Sequence, residues 1–158
     1  MESIKILNKT EKQKIIEKLD YQFGIKEIPG LIVSMGKERL FLFSGNFDEN
    51  QIKKLESVTS IERMGIYFAK FMTDNNGEKI KLSIEGTQIL QKQIDKNLFE
   101  ISEEQTEEWM KGHELQIKTG MKGFIVIKHD EDFLGSGKAS EEKITNFIPK
   151  SRRLKEKS

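Results

Sequence analysis

The sequence predicts an α+β fold, with an α/β first half at residues 1–93 and a small, partly closed β barrel at residues 94–158. Three observations support this prediction. Helical and strand-like patterns alternate as far as residue 93, which is typical of an α/β domain. Only short strands separated by turn residues follow Gly112, which is typical of a small barrel. No Pro- or Ser-rich linker separates the halves, so we expect them to pack tightly.

The first half opens with a helix and a hairpin. Residues 8–10 supply candidate helix N-caps, and Gly24 is a natural helix end. The apolar stretches 31–33 and 40–43 flank a polar turn that contains a glycine, which predicts a β-hairpin. A second helix is predicted to begin near Asp48, because Gln51 completes a capping box there.

Two further strands and a short helix complete the first half. The strands are predicted at 65–71 and 79–83, and the helix carries Ile89 and Leu90. The aromatic residues of the first strand are expected to pack in the core. No basic cluster is evident in this half of the chain.

The second half begins with a strand at 98–101 and a helix. Ser102 and Gln105 form a capping box for this helix, which should end near Gly112. Trp109 on this helix is expected to fill the interface between the halves. Four short strands are then predicted, at 113–118, 123–128, 133–139 and 144–148.

The charge is nearly balanced overall but concentrated at one end. The chain has 27 basic and 26 acidic residues, whereas residues 150–158 contain five basic residues and one acidic residue. A positive surface on a neutral body suggests a polyanionic partner. The chain has no cysteine, so disulfides, thiolate chemistry and zinc knuckles are excluded, and no cofactor is expected. The absence of cysteine fits the cytoplasmic location that we expect. No apolar stretch is long enough for a membrane span, so no membrane partner is expected.

Motifs of the second half identify a family resemblance. An acidic helix precedes Gly112-His113, the stretches 120–126 and 133–139 follow, and a terminal strand ends the pattern. This order resembles the PUA domain, the pseudo-barrel of pseudouridine synthases and archaeosine transglycosylases. The resemblance implies a C-terminal PUA pseudo-β-barrel that binds RNA.

The remaining motifs resemble two further groups of proteins. The helix ending at Gly24, the strand 65–71 and the stretch 81–84 resemble the pre-PUA domain of an archaeal and eukaryotic family that acts in large-subunit ribosome biogenesis. The tail 146–153 is similar to the PUA-like appendage of Sun-family RNA cytosine-5 methyltransferases. The resemblance implies an N-terminal pre-PUA domain packed on the PUA barrel. The methyltransferase catalytic domain and its cysteine nucleophile are absent from this sequence.

The resemblance also implies an RNA-binding surface. Mapped by motif, this surface contains Lys118, Lys122, Lys150, Arg152, Arg153 and Lys155. Lysines offer point charges to phosphates, and arginines can bind phosphate bidentately or stack under a base. The two arginines are the preferred candidates, because adjacent side chains on an extended segment point to different faces. The alternative is a solvated tail that only maintains solubility.

The sequence therefore favours a non-catalytic RNA-binding protein that acts in ribosome biogenesis or in rRNA or tRNA modification. Its expected partners are RNA and an RNA-modification or ribosome-assembly protein, and the expected oligomeric state is a monomer. One alternative is a protein-interaction adaptor that recruits an RNA-modifying enzyme or assembly factor. An enzyme that processes nucleic acid is a third, less favoured alternative, because no convergent set of catalytic residues is evident.

Overall fold

A computed structural model of the chain describes residues 4–43, 65–74 and 77–155. The helix predicted near Asp48 lies outside the described residues. The elements, in chain order, are β1 (Ile4–Ile6), α1 (Lys9–Phe23), β2 (Leu31–Met35), β3 (Arg39–Phe43), β4 (Ile66–Asp74), β5 (Gly77–Leu82), α2 (Ile84–Ile89), β6 (Leu98–Glu100), α3 (Glu103–Met110), β7 (Gly123–His129), β8 (Asp132–Ala139) and β9 (Ile144–Asn146). Gln91–Gln93 and Lys150–Arg152 are single 3₁₀ turns. The mixture of two sheets and few helices is compatible with the predicted α+β class.

The first sheet is an antiparallel meander in the order β1-β2-β3-β4-β5. The hairpin of β2 and β3 and the helix α1 are as predicted. The Asn8 side chain accepts a hydrogen bond from the Glu11 amide, and the Glu11 carboxylate in turn accepts one from the Asn8 amide. The helix ends at Gly24, whose φ of 81° is left-handed. The short edge strand β1 was not predicted.

The second sheet has the order β6-β7-β8-β9, with β6 parallel to β7 and the other pairs antiparallel. The helix α3 begins at the predicted Ser102 capping box. The strand predicted at 113–118 is wrong, because only Leu115 pairs there, in a single bridge to Ile144. The strand predicted at 144–148 ends at Asn146, whose side chain binds the Ile148 amide and turns the chain. The β-rich second half fits a pseudo-barrel.

The buried apolar residues form two main clusters. The first joins α1 and the first sheet and also includes Val126 of β7 and Phe133 of β8. The second lies within the second half and contains Trp109, which is fully buried. The expectation that Trp109 fills the interface between the halves is therefore wrong: its indole packs under β8, where Gly137 leaves room for it.

Hydrogen bonds also join the two halves of the chain. The Ser136 hydroxyl on β8 donates to the Leu82 carbonyl on β5 at 2.7 Å, and both residues are buried. The Asn97 amide donates to the Gln22 carbonyl at 2.6 Å. The halves therefore pack tightly, as expected, and a groove forms where β5 meets β7 and β8. None of the helices in the described ranges is both long and apolar enough to cross a membrane.

Candidate RNA interface

The basic C-terminal segment is anchored to the body of the protein. The Leu154 amide donates to the Met110 carbonyl at the end of α3, at 2.8 Å. Residues Lys150–Arg152 form a 3₁₀ turn instead of an extended segment. The backbone of this segment is therefore held against the barrel as far as the structure describes it, to residue 155. Its side chains do not alternate between two faces as those of an extended strand would.

The two arginines of this segment have different environments. The Arg152 guanidinium donates to the Glu85 carboxylate, and both side chains are partly exposed. Arg153 Nε donates to the Ile148 carbonyl at 2.9 Å. Its side chain lies directly over Gly112, where an added Cβ would come within 2.3 Å of Nε. Arg153 thus fixes the tail on the barrel, and Arg152 has one carboxylate partner.

The other predicted cations are exposed. Lys118, Lys122, Lys150 and Lys155 form no ion pair with a carboxylate among the described residues. Of the six predicted residues, only Lys122 and Arg152 line the two pockets described next. The structure therefore does not gather all six cations into one site.

A cavity of about 340 Å³ opens between the first sheet and the segment after β9. We call it the Lys81 pocket. Its lining includes two aromatic residues, three cations and one carboxylate: Tyr67, Phe147, Lys70, Lys81, Arg152 and Glu85. The two lysines come from the first sheet, which the sequence analysis had left without a basic cluster.

Three cations lie side by side across the first sheet, and two of them, Lys70 and Lys81, line this pocket. Arg39 on β3 is opposite Lys70 on β4, and Lys70 is opposite Lys81 on β5. The Lys70 ammonium lies 3.5 Å from the Glu38 carboxylate. Lys81 has no carboxylate partner among the described residues, and its ammonium lies 4.5 Å from the centroid of the Phe147 ring. Like charges directly opposite each other on paired strands are destabilising. A site that contains such a set of cations is compatible with an anionic ligand.

Burial perturbs two titratable groups of the Lys81 pocket. Partial burial lowers the pKa of Lys81, and the nearby Lys70 ammonium lowers it further. Partial burial raises the pKa of the Tyr67 hydroxyl, so this group remains a hydrogen-bond donor over the physiological range. Both shifts have the sign expected for a partly desolvated site.

A second cavity of about 520 Å³, the Lys79 pocket, adjoins the first. Its lining includes Tyr21, Lys79, Lys122 and Phe124. Phe124 lines this pocket and Phe147 lines the Lys81 pocket. Their ring centroids are 6.0 Å apart, so the two rings connect the pockets. We refer to the two pockets together as the junction groove.

Cations lie close to aromatic rings along this groove. The Lys79 ammonium is 5.8 Å from the Tyr21 ring, and the Lys138 ammonium is 5.6 Å from the Phe124 ring. The linings of the two pockets contain five basic residues and one acidic residue, a net charge of +4 in a chain whose net charge is +1. Phosphates bind lysine and arginine, and unpaired bases stack on aromatic rings, so this composition suits single-stranded nucleic acid.

The contribution of the first half to this groove was not predicted from the sequence. The stretch Lys79-Ile80-Lys81-Leu82 alternates polar and apolar residues, and the structure buries Ile80 and Leu82. That alternation places both lysines on one face of a strand. It could have been predicted from the sequence alone. Phe124 and Phe147 lie near these lysines only because distant parts of the chain pack together. No local sequence pattern predicts that packing.

Comparison with known proteins identifies a similar domain in the second half. Residues 96–154 match the family model described as the methyltransferase RsmF PUA domain. The chain is also similar to a protein of Psychromonas ingrahamii named ribosomal RNA small subunit methyltransferase F, with 26% identity over 142 residues. The alignment covers 89% of this chain but only 28% of the relative. These matches confirm the predicted PUA domain and its link to the Sun-family rRNA methyltransferases.

Proposed function

We propose that this chain is a non-catalytic RNA-binding protein that holds single-stranded RNA along the junction groove. The observation that carries the proposal is the net charge of +4 on an aromatic lining at the junction of the two sheets. The PUA match supports RNA as the ligand. The name of the relative favours ribosomal over transfer RNA, and a role in rRNA modification or ribosome biogenesis.

The non-catalytic role is part of the proposal. Sun-family methyltransferases use a cysteine nucleophile, and this chain has no cysteine. In the part of the chain that the structure describes, no three His, Asp or Glu side chains are grouped so that they could hold a metal ion. In this proposal the chain acts as a cytoplasmic monomer that presents RNA to a modifying or assembly protein.

The adaptor alternative lacks a supporting observation among the described residues. The large apolar side chains exposed there are Tyr21, Ile66, Ile89 and Leu154. They lie on three different secondary-structure elements and the terminal segment, whereas a docking patch requires contiguous apolar area. We therefore place the adaptor role second.

The test is the salt dependence of RNA binding, measured by fluorescence anisotropy with a labelled single-stranded RNA. Four phosphate contacts give a slope of log K against log salt of about −3, at about −0.7 per contact. The double variant Lys79→Met/Lys122→Met removes two of these contacts and reduces the slope to about half. The matched control is Lys26→Met/Lys92→Met, at exposed positions that line neither pocket. Binding that does not change with salt, or an equal loss in the control, would refute the proposal.

A further inference from the structure

We infer that the Lys81 pocket is a subsite for one unpaired nucleotide of the bound RNA, with its phosphate at Lys81 and Lys70 and its base against Phe147 and Tyr67. The inference rests on the proposed function, because it assigns a ligand to one part of the junction groove. It adds a preference: the site selects a nucleotide that is free of base pairing.

Lys81 brings an uncompensated positive charge to the pocket. Lys81 faces Lys70 across adjacent strands and has no carboxylate partner in the described ranges. The pocket is partly removed from water, so a phosphate placed between the two ammonium groups is attracted more strongly there than on an open surface. Binding of a phosphate would relieve the repulsion between the two lysines. It would also raise the pKa of Lys81 towards its ordinary value.

The size and lining of the pocket suit a single nucleotide. Its volume of about 340 Å³ falls within the range of roughly 300–1,000 Å³ that is typical of small-molecule sites. The Phe147 and Tyr67 rings are partly exposed at its wall. The Tyr67 hydroxyl forms no hydrogen bond with a described residue and is free to donate to a base or ribose. Bases within a duplex are stacked and paired, so only an unpaired nucleotide can enter.

The single acidic residue in this lining affects how readily the subsite is filled. Glu85 is bound to Arg152 at the rim of the pocket. A phosphate that approaches the rim competes with this carboxylate for the guanidinium, because both anions can accept two parallel hydrogen bonds from it. The ion pair therefore opposes entry of RNA. We expect Glu85→Gln to bind single-stranded RNA more tightly than the wild type.

The principal test compares a single-stranded oligouridine with a fully paired RNA duplex of the same length. We expect Lys81→Met to weaken binding of oligouridine about tenfold, the loss of one charge-assisted contact. Duplex binding should change less than twofold. Lys81→Arg, which keeps the charge, should retain most of the affinity, and Lys26→Met should match the wild type. Thermal unfolding of each variant confirms that it is folded.

The outcomes separate this inference from the proposed function. If the wild type binds neither RNA, the proposed function fails. If the wild type binds oligouridine and Lys81→Met binds it equally well, the proposed function stands and the nucleotide subsite is refuted. An equal loss for oligouridine and duplex also refutes the subsite, because Lys81 would then be a general phosphate contact.

A second test identifies the chemical group that the pocket takes. Uridine monophosphate, uridine and inorganic phosphate are titrated separately, and the amide resonances of residues around Lys81 and Phe147 are followed by NMR. We expect larger and saturable shifts with uridine monophosphate than with either fragment, because it fills both halves of the pocket. Identical NMR shifts with uridine monophosphate and inorganic phosphate would show that the pocket binds only the anion, and would refute base recognition. No shift with any probe would also refute the subsite.

Discussion

Replacement of Lys81 by methionine should stabilise the fold while it weakens RNA binding. The substitution removes a partly buried ammonium group that faces Lys70 in register. A directly opposed like-charge pair costs roughly 0.2–1 kcal/mol. The lost cation–π contact with Phe147 is worth roughly 0.5–2 kcal/mol at a partly buried site. A methionine sulfur near the same ring returns roughly 0.3–1.5 kcal/mol, so these two contributions nearly cancel.

The net gain is therefore set by the relieved repulsion. For a chain of this length, roughly 0.2–1 kcal/mol raises the melting temperature by about 0.4–4 °C. The assay is thermal unfolding followed by circular dichroism at low salt, with Lys26→Met as the control.

The pH dependence of stability provides an independent check. The folded-state pKa of Lys81 is lowered from 10.5. At pH values between the folded-state and the unfolded-state pKa, the unfolded chain therefore binds more protons than the folded chain. Wild-type stability therefore rises with pH in that interval.

This rise should be smaller in Lys81→Met, since the group that titrates is gone. A melting temperature that falls by several degrees in the variant would show that Lys81 supports the fold, and would refute the reasoning. The same gain in Lys26→Met would also refute it, because the effect would then come from the overall charge.

Three other predictions each test one contact within the fold. Ser136→Ala leaves a buried carbonyl of β5 without its partner and should lower the free energy of unfolding by about 1–3 kcal/mol. Urea titration measures the loss, and an unchanged midpoint would contradict it. Gly112→Ala places a Cβ at a φ of +90° and against Arg153, and should destabilise the chain by about 1–3 kcal/mol. Gly120→Ala, where φ is also positive but the space is open, separates backbone strain from the clash, and equal losses would refute the contact. His129, whose Nδ1 donates to a backbone carbonyl, has a raised pKa. Its contribution is full below the unfolded-state pKa of about 6.5 and is lost as pH rises through the folded value, so urea unfolding of His129→Gln should show a flatter pH profile.

The local elements were largely predictable because their signals are local. The capping boxes at Asn8 and Ser102 and the left-handed Gly24 lie within a few residues of the helix ends that they fix. The stretch 113–118 has the apolar alternation of a strand but contributes only the bridge of Leu115, because a strand also needs a partner along its length.

The candidate site was only partly predictable, because its contacts join residues far apart in the sequence. Arg152 was a preferred RNA contact, yet its partner Glu85 lies 67 residues away. The role of Arg153 depends on Gly112, over which it packs. The lysines of β5 could have been recognised from their alternation, but not the aromatic residues of β7 and the terminal segment that complete the groove.

The core shared by the two sheets has a consequence for truncation. Val126 and Phe133 belong to the PUA half but are buried with α1 and the first sheet. A fragment confined to residues 96–154 would present these side chains to water and would also lose half of the groove. The two halves should therefore melt in a single cooperative transition, and neither should persist as an autonomous module.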